Sequence, residues 1–375
     1  MMEKKYCAAP WRGLHINFRG DVKTCCAGDP NMLGDLNHHS LEDIIHSDKL
    51  QEIRSSISNG VLHPEYCYNC IQAERNGSSE RDWHNNVSPE FDATLATTKE
   101  HVPTLIDVRW NITCNLSCNY CGPYCSSKWA SLKKEFVDNG VKSYHKQVVD
   151  YIIQHKDHVR EVALVGGEPL LLKENIALLQ ALPQDCLVTV ITNMSVDFDN
   201  NPVVDLLKQR SNVGWSMSFD NVGARFEYVR HGGKFELLDK NVATVASWMK
   251  ERGHHGGIHS VYNLYNCTRV VELSEYAHKY GLNILWQTLY QPEILDPARH
   301  NNRVKDLALE QIESYKQQWG DHPFFNQASQ GYTTIATDSD IGKKFWAHTN
   351  SIENLYHQDQ KGKFVELWPE LSTLI

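Results

Sequence analysis

Short apolar segments alternate with helical segments between residues 104 and 290, and this alternation limits the folds open to the chain. The segments between the apolar runs carry apolar residues at helical spacing, as in Val148, Tyr151 and Ile152. Strand and helix alternating at intervals of roughly 25 to 50 residues predict a parallel sheet built from right-handed crossover units. A doubly wound sheet and a barrel both fit this pattern. The six predicted strands are 105–110, 162–165, 187–191, 213–218, 258–262 and 284–287.

Composition and charge exclude several classes of protein. The chain has 375 residues, of which 41% are hydrophobic and 22% charged, as in ordinary folded proteins. Its net charge of −9 argues against a surface that neutralises nucleic-acid phosphates. The apolar runs fall far short of the ~20 residues that cross a bilayer, and no signal-peptide pattern is present. We therefore expect a cytoplasmic protein that binds neither nucleic acid nor membrane.

Three of the eleven cysteines, Cys114, Cys118 and Cys121, lie within eight residues of one another, directly after the first predicted strand. Cysteines in a reducing compartment point to metal ligands or reactive thiols rather than disulfides. In parallel α/β folds, ligands bind in loops at the carboxyl ends of strands. Three ligands rather than four would leave one metal position open to a small molecule. A zinc site completed by Cys125 is the alternative.

The spacing Cys-x3-Cys-x2-Cys after a first strand resembles the motif of the radical S-adenosylmethionine (SAM) superfamily. A second motif, Gly166, Gly167, Glu168 and Pro169, ends the second predicted strand. It is similar to the family's GGEP motif, whose backbone and carboxylate receive the amino group of the SAM methionine. A glycine pair also has a physical use there, because a backbone without side chains lets a ligand approach closely.

The end of the fourth predicted strand carries a further resemblance. Ser218, Asp220 and the following Arg230 are similar to the family's Ser-x-Asp-Gly stretch and its arginine, which hold the SAM carboxylate and ribose. Asn221 stands where the family has glycine. Two other residues are similar to family positions near SAM. Tyr120 matches an aromatic residue that flanks adenine, and Asn193 matches a residue that closes the third strand.

The N-terminal region holds a second set of cysteines, Cys7, Cys25, Cys67 and Cys70. Four thiols could hold either zinc or a fully ligated [4Fe-4S] cluster. The order Cys, Gly-x4-Cys, Cys-x2-Cys resembles the SPASM and twitch modules of sulfatase-maturating enzymes, peptide-modifying enzymes and certain aminocyclitol dehydrogenases. Four ligands fit the single-cluster twitch form. In those relatives the module usually follows the barrel, whereas here it precedes the barrel.

The resemblance implies an α/β fold with a partial (β/α)6 TIM-like barrel and a small cysteine-rich N-terminal module. The expected divisions are an auxiliary-cluster module at 1–76, a linker at 77–100, the barrel at 101–295 and a helical tail at 296–375. Three cysteines outside both sets are expected to be buried, inert thiols: Cys125, Cys186 and Cys267.

The implied cofactors are SAM, a SAM-binding [4Fe-4S] cluster and a second, auxiliary [4Fe-4S] cluster. The implied reaction is reductive cleavage of SAM to a 5'-deoxyadenosyl radical, which abstracts hydrogen from a peptide or protein side chain. Such a reaction needs a one-electron reductant such as flavodoxin or ferredoxin. Two alternatives remain, a small-molecule dehydrogenase acting on an aminocyclitol or sugar-like substrate, and a non-catalytic metal-binding protein. No catalytic acid or base is identified.

Overall fold

The computed structural model describes residues 6–29, 33–75, 80–86, 102–137, 142, 144–289, 291–356 and 362–375. The strands are β1 Gly13–Ile16, β2 Asp21–Lys23, β3 Gly34–Asp35, β4 Leu105–Val108, β5 Ser117–Cys118, β6 Glu161–Leu164, β7 Leu187–Thr192, β8 Val213–Ser218, β9 Arg230–His231, β10 His255–Tyr262 and β11 Asn283–Thr288.

The α-helices are α1 Ala9–Arg12, α2 Leu41–Ile45, α3 Asp48–Ser58, α4 Tyr68–Arg75, α5 Glu80–Asn86, α6 Ser127–Lys133, α7 Tyr144–Gln154, α8 Glu174–Ala181, α9 Pro202–Lys208, α10 Gly223–Val229, α11 Phe235–Arg252, α12 Val270–Tyr280, α13 Asn302–Trp319, α14 Pro323–Thr334, α15 Ile341–Leu355, α16 Phe364–Leu367 and α17 Pro369–Ser372. Short 3-10 turns cover Pro169–Leu171, Glu293–Leu295 and Pro297–Arg299.

The backbone divides into two compact units. The first contains residues 1–112, 138–190 and 202–214, and the second contains residues 113–137, 191–201 and 215–375. The division passes through β7 and β8, so the last residues of each of these strands belong to the second unit.

The first unit is built on a sheet in the order β3-β2-β1-β4-β6-β7. Strands β1, β4, β6 and β7 are parallel neighbours, and one row across them joins His15, Asp107, Ala163 and Thr189. All four residues of β4 are buried, as expected for a parallel strand covered on both faces.

The N-terminal segment continues this sheet, which the sequence did not predict. Strand β1 pairs in parallel with β4, opposing Gly13 to Leu105, and β2 and β3 follow as antiparallel neighbours. Arg12 forms an ion pair with Glu161 of β6, with Nη2 and Oε2 2.9 Å apart. The cysteine-rich segment therefore supplies the neighbour that β4 would otherwise lack on that side.

The second unit contains the order β8-β10-β11, with β10 and β11 parallel, and a separate two-stranded pairing of β5 with β9. Helices α10 to α17 also belong to it. Each unit thus contributes three of the six predicted strands in chain order. The predicted α/β class with a mostly parallel sheet is confirmed, in the strand order of the expected TIM-like barrel.

Helices occupy two segments for which the sequence analysis gave no bounds of individual helices. Helix α5 falls inside the expected linker 77–100, whose remaining residues lie outside the described ranges. The expected helical tail at 296–375 contains α13 to α17. Among the helices in the described part of the chain, none combines the length and apolar content needed to cross a membrane.

Candidate active site

The cluster loop, defined here as residues 114–121, carries three cysteines and leads toward α6. Cys118 lies in β5 and is buried, whereas Cys114 and Cys121 are half-buried. Strand β5 pairs antiparallel with β9, which sets Cys118 opposite Arg230. The Cys118 thiol interacts electrostatically with both Cys114 and Cys121. The structure therefore brings the three predicted ligands together.

The charge environment of Cys118 is set by burial and by one arginine. Burial raises the pKa of the Cys118 thiol to about 12, and the Arg230 guanidinium acts in the opposite direction. Because iron and zinc bind the thiolate, a nearby cation favours the ligand form. Within the described ranges, no three His, Cys, Asp or Glu side chains already stand in a metal-binding arrangement. The donor set of three soft thiolates nevertheless fits a [4Fe-4S] cluster with one open iron.

Cys125 differs from its expected environment. Its side chain is exposed, so the prediction of a buried thiol is wrong at this position and correct at Cys186 and Cys267. The Cys125 thiol lies beside Cys121, where a hydrogen bond between them raises the pKa of Cys121 above its ordinary value. This contact is the one that a zinc site completed by Cys125 would need, and metal analysis decides between the two sites.

A buried ionic cluster stands beside the cluster loop. Asp220 Oδ2 accepts hydrogen bonds from Arg230 Nε at 3.1 Å and from the Tyr120 hydroxyl, while Arg230 Nη2 lies 3.0 Å from the same oxygen. Asp220 Oδ1 accepts from the Val261 amide at 2.8 Å. Burial alone would lower the pKa of Arg230, but Asp220 outweighs it and the net pKa is raised. These bonds compensate two buried charges and fix the orientation of Tyr120.

Ser218 and Asn221 flank this cluster. Ser218 is the last residue of β8 and is half-buried. Asn221 Nδ2 donates to the Tyr265 carbonyl at 2.9 Å, and its backbone φ is not positive. The backbone at 221 therefore does not require the glycine found in the family, which explains how asparagine is accommodated.

Asn193 connects the end of β7 to the cluster loop. Its Nδ2 donates to Asn115 Oδ1 at 2.9 Å and lies 3.8 Å from the Cys114 sulfur. Asn115 Nδ2 in turn donates to the Ser195 carbonyl at 2.7 Å. Asn193 thus positions the first predicted ligand, a role that its place at a strand end did not specify.

The GGEP segment belongs to the first unit and follows β6. Gly166 has φ of +134°, and a Cβ there would lie 2.9 Å from the Asn111 carbonyl oxygen, so no other residue fits without strain. The Gly167 amide donates to the same oxygen at 3.3 Å. Glu168 is fully buried, and its Oε1 accepts from the Leu170 amide at 3.2 Å. The carboxylate therefore caps the short turn that begins at Pro169.

The four N-terminal cysteines also converge, within the first unit. Cys7 and Cys70 are buried, and Cys25 and Cys67 are half-buried. Cys7 interacts electrostatically with Cys67 and Cys70, and Cys25 interacts with Cys7 and Cys67. Burial raises the pKa of Cys7 to about 12 and that of Cys67 to about 11. A fifth thiol, Cys26, lies next to Cys25 in the chain and is exposed.

Polar side chains hold the three N-terminal cysteine segments in place. Asn69 Nδ2 donates to the Ala27 carbonyl at 3.1 Å, which ties the Cys-x2-Cys turn to the loop after Cys25. The Ala8 amide donates to Asn85 Oδ1 of α5 at 2.9 Å. Gly28 lies against the Tyr66 ring, where a Cβ would approach within 2.5 Å of Cζ. The sequence patterns identified the cysteines but not these supporting residues, since each acts across a large sequence separation.

Two family models match parts of this chain. Residues 7–71 match the SPASM iron-sulfur cluster-binding domain, and residues 111–285 match the radical SAM superfamily. No curated protein sequence matches the chain. SuiB of Streptococcus suis, solved with S-adenosylmethionine, is similar at 17% identity and a TM-score of 0.44, over 66% of this chain and 57% of that chain. Native anSMEcpe with bound AdoMet is similar at 14% identity and a TM-score of 0.42, over 57% and 60%.

This chain therefore spans less than two thirds of the length of either solved protein. The radical SAM match includes the whole cluster loop and the GGEP segment, and the SPASM match includes all four N-terminal candidates. The cofactors that accompany the two domains are SAM with a [4Fe-4S] cluster, and auxiliary iron-sulfur clusters. The chain therefore carries a radical SAM domain at residues 111–285, with a SPASM-type iron-sulfur cluster-binding domain on its N-terminal side at residues 7–71.

Proposed function

We propose that this protein reductively cleaves SAM and uses the resulting 5'-deoxyadenosyl radical to abstract hydrogen from a peptide or protein side chain. The observation that carries the proposal is the cluster loop, in which three thiols gather within eight residues opposite a buried arginine. Three cysteine ligands leave room for direct binding of SAM, which a site with four cysteine ligands would not.

Cys114, Cys118 and Cys121 would hold the SAM-binding [4Fe-4S] cluster. When bound, this cluster supplies one electron to the sulfonium of SAM and an open iron for its amino and carboxylate groups. Arg230, oriented by Asp220, keeps a positive charge beside Cys118 and favours its thiolate form. The same fixed cation suits a carboxylate ligand, because a guanidinium pairs well with planar anions.

Other side chains would position SAM itself. The Gly166 turn offers a backbone surface without side chains, and the buried Glu168 supplies a carboxylate for the ammonium group of SAM. Tyr120 is held by its hydrogen bond to Asp220, so its ring has a defined orientation for stacking beside adenine. Ser218 and Asn193 complete the set of residues that we assign to SAM.

Cys7, Cys25, Cys67 and Cys70 would hold the auxiliary cluster. The convergence of four thiols from three separate segments supports this assignment. A fully ligated cluster has no open iron, so it would serve the reaction in electron transfer rather than in SAM binding. The choice of a peptide substrate follows the resemblance of the SPASM-type domain to the modules of sulfatase-maturating and peptide-modifying enzymes, and the dehydrogenase alternative shares the same kind of module.

Metal analysis of anaerobically reconstituted protein tests the assignment of both cysteine sets. About eight irons and eight sulfides per chain are expected for two [4Fe-4S] clusters. Cys118→Ser should lose about four of the irons and all SAM cleavage, whereas Glu168→Ala should keep the iron and bind SAM more weakly. Stoichiometric zinc without iron, or SAM turnover by Cys118→Ser, would overturn the proposal.

Deuterium transfer tests the substrate class. Peptides encoded beside the gene for this protein would be produced in perdeuterated form and incubated with reduced protein and SAM. Deuterium appearing in 5'-deoxyadenosine would identify a peptide as the hydrogen donor. Transfer from a deuterated sugar or aminocyclitol, and from no peptide, would replace the peptide assignment with the small-molecule dehydrogenase.

A further inference from the structure

The C-terminal residues 286–375 lie beyond both family matches, so no role is assigned to them. Within the second unit, helix α15 and the residue after it, Tyr356, contact the cluster loop. His348 Nε2 donates to the Asn119 carbonyl at 3.1 Å, and the Tyr356 hydroxyl donates to the Ser117 carbonyl at 3.0 Å. A segment far away in the sequence thus binds the backbone on both sides of Cys118.

These two hydrogen bonds are part of a set that involves four consecutive carbonyl groups. The carbonyl groups of residues 116 to 119 each accept a hydrogen bond from a side chain. The donors and distances, in that order, are Ser126 Oγ at 2.6 Å, Tyr356 at 3.0 Å, Trp129 Nε1 at 2.9 Å and His348 at 3.1 Å. The Cys118 carbonyl also accepts from the Cys121 amide at 2.9 Å. Side chains therefore add to the backbone bonds of this segment, and two of the four side-chain donors come from the C-terminal segment.

Tyr356 also contacts the strand that faces the cluster loop. Its ring stacks on His231 of β9 with centroids 3.5 Å apart and an interplanar angle of 11°. On another side it packs against Trp129, with centroids 6.0 Å apart. Tyr356 therefore touches both strands of the β5–β9 pair as well as the helix that follows the loop.

Helix α15 is itself firmly held. Phe345 and Ile352 are buried, and Glu353 Oε1 accepts hydrogen bonds from the Phe364 amide at 2.8 Å and the Tyr228 hydroxyl at 3.1 Å. Tyr228 precedes Val229, whose carbonyl accepts from the Asn119 amide at 2.8 Å. Glu353 thus links the C-terminal segment to the backbone that pairs with the cluster loop.

We infer that α15 and Tyr356 position the cluster loop, so that the C-terminal segment sets the geometry and SAM affinity of the [4Fe-4S] site. The inference rests on the proposed function, in which Cys114, Cys118 and Cys121 hold that cluster. The loop has little regular structure, and fixing each of its residues costs about 1–2 kcal/mol of backbone entropy. Hydrogen bonds that orient the groups around metal ligands typically change affinity or activity by about 10- to 100-fold when removed.

The experiment compares anaerobically reconstituted, full-length variants by electron paramagnetic resonance (EPR) of the reduced cluster during SAM titration. Tyr356→Phe removes only a hydroxyl, and His348→Leu removes only the donor to Asn119. Each should weaken SAM binding by about tenfold and alter the SAM-dependent spectrum, with unchanged iron content for Tyr356→Phe. His348→Gln retains an N–H donor and should restore most of the SAM affinity.

His46→Leu is the matched control, because His46 Nδ1 also donates to a backbone carbonyl, that of Glu42 at 2.9 Å, in the first unit. It should leave both the spectrum and the SAM affinity unchanged. If both Tyr356→Phe and His348→Leu keep the wild-type SAM affinity and EPR spectrum, this inference is overturned, but the proposed function is not. A wild-type protein without a SAM-responsive cluster would instead overturn the proposed function.

Discussion

At the scale of single residues, the site depends on charged side chains that are buried and paired. Asp220 is 1% exposed and Arg230 is 6% exposed, and each is the other's main charge partner. Asp107 is buried as well; burial would raise its pKa, but the bond from His15 and the nearby Arg109 outweigh burial and lower it. Such groups are stable only while their partners remain in place.

Removing the arginine alone should therefore lower the free energy of unfolding more than removing both charges of the Arg230–Asp220 pair. Arg230→Met leaves the Asp220 carboxylate buried without its cation, which is expected to lower the free energy of unfolding by about 3–5 kcal/mol. Arg230→Met combined with Asp220→Asn should recover part of that loss, since the asparagine Oδ1 can still accept from Val261. Thermal unfolding of the three proteins measures the difference, and a double variant less stable than Arg230→Met would contradict the explanation.

His84 should make stability depend on pH. Burial, with the charges of His15 and Arg12, lowers the pKa of His84 from 6.5 to about 3. The folded protein therefore keeps His84 neutral while the unfolded chain takes up a proton below pH 6.5. The stabilisation is complete above that pH and is lost as the pH falls toward 3, by about 1 kcal/mol between pH 7.5 and 5.5.

The melting temperatures of wild type, His84→Gln and a control at the exposed His158, His158→Gln, measured at both pH values, test this expectation. The acid-induced decrease should be smaller in His84→Gln and unchanged in His158→Gln. Equal decreases in all three proteins would show that other groups control the pH dependence.

At the scale of elements, the site depends on short irregular connections fixed by neighbours. The turn at Gly166 requires a positive φ and lies against the Asn111 carbonyl. The cluster loop is held through its carbonyl groups by side chains that include Trp129 and Tyr356. In both places regular elements supply the support, and the connection supplies the chemistry.

Gly166→Ala tests the requirement at the first of these connections. An alanine must adopt φ of +134° with its Cβ 2.9 Å from a backbone oxygen, which is expected to cost about 1–3 kcal/mol and to weaken SAM binding. Gly167 does not have a positive φ, so Gly167→Ala should reduce stability less. Calorimetry and SAM titration measure both effects, and equal losses of stability in the two variants would argue against backbone strain as the cause.

At the scale of the whole molecule, the cysteine-rich segment is part of the sheet rather than a detachable appendage. Strand β1 pairs with β4 over four residues, and Arg12 bonds to Glu161. The SPASM match at 7–71 and strand β4, which lies just before the radical SAM match at 111–285, thus share one set of backbone hydrogen bonds within the first unit.

Deleting residues 1–101 should therefore cause aggregation rather than yield a smaller folded protein. The deletion leaves β4, whose four residues are all buried, as an edge strand paired only with β6. Size-exclusion chromatography should show mostly aggregate. Full-length Cys67→Ser with Cys70→Ser, which removes two candidate ligands but keeps β1, should remain monodisperse. A monodisperse deletion variant would show that β4 does not need its neighbour.

Local patterns in the sequence determined the element types and the candidate ligands. Apolar periodicity predicted the six strands, and cysteine spacing predicted both thiol sets, because each pattern depends on residues that are close together in the sequence. Only the tertiary structure decided that β1 joins β4, that Cys125 is exposed beside Cys121, and that α15 binds the cluster loop. These features depend on pairings between residues far apart in the chain, such as Ser117 and Tyr356, and such pairings leave no periodic pattern. The sequence encodes the apolar periodicity of each helix and strand, but tertiary packing decides which neighbouring element each of them contacts.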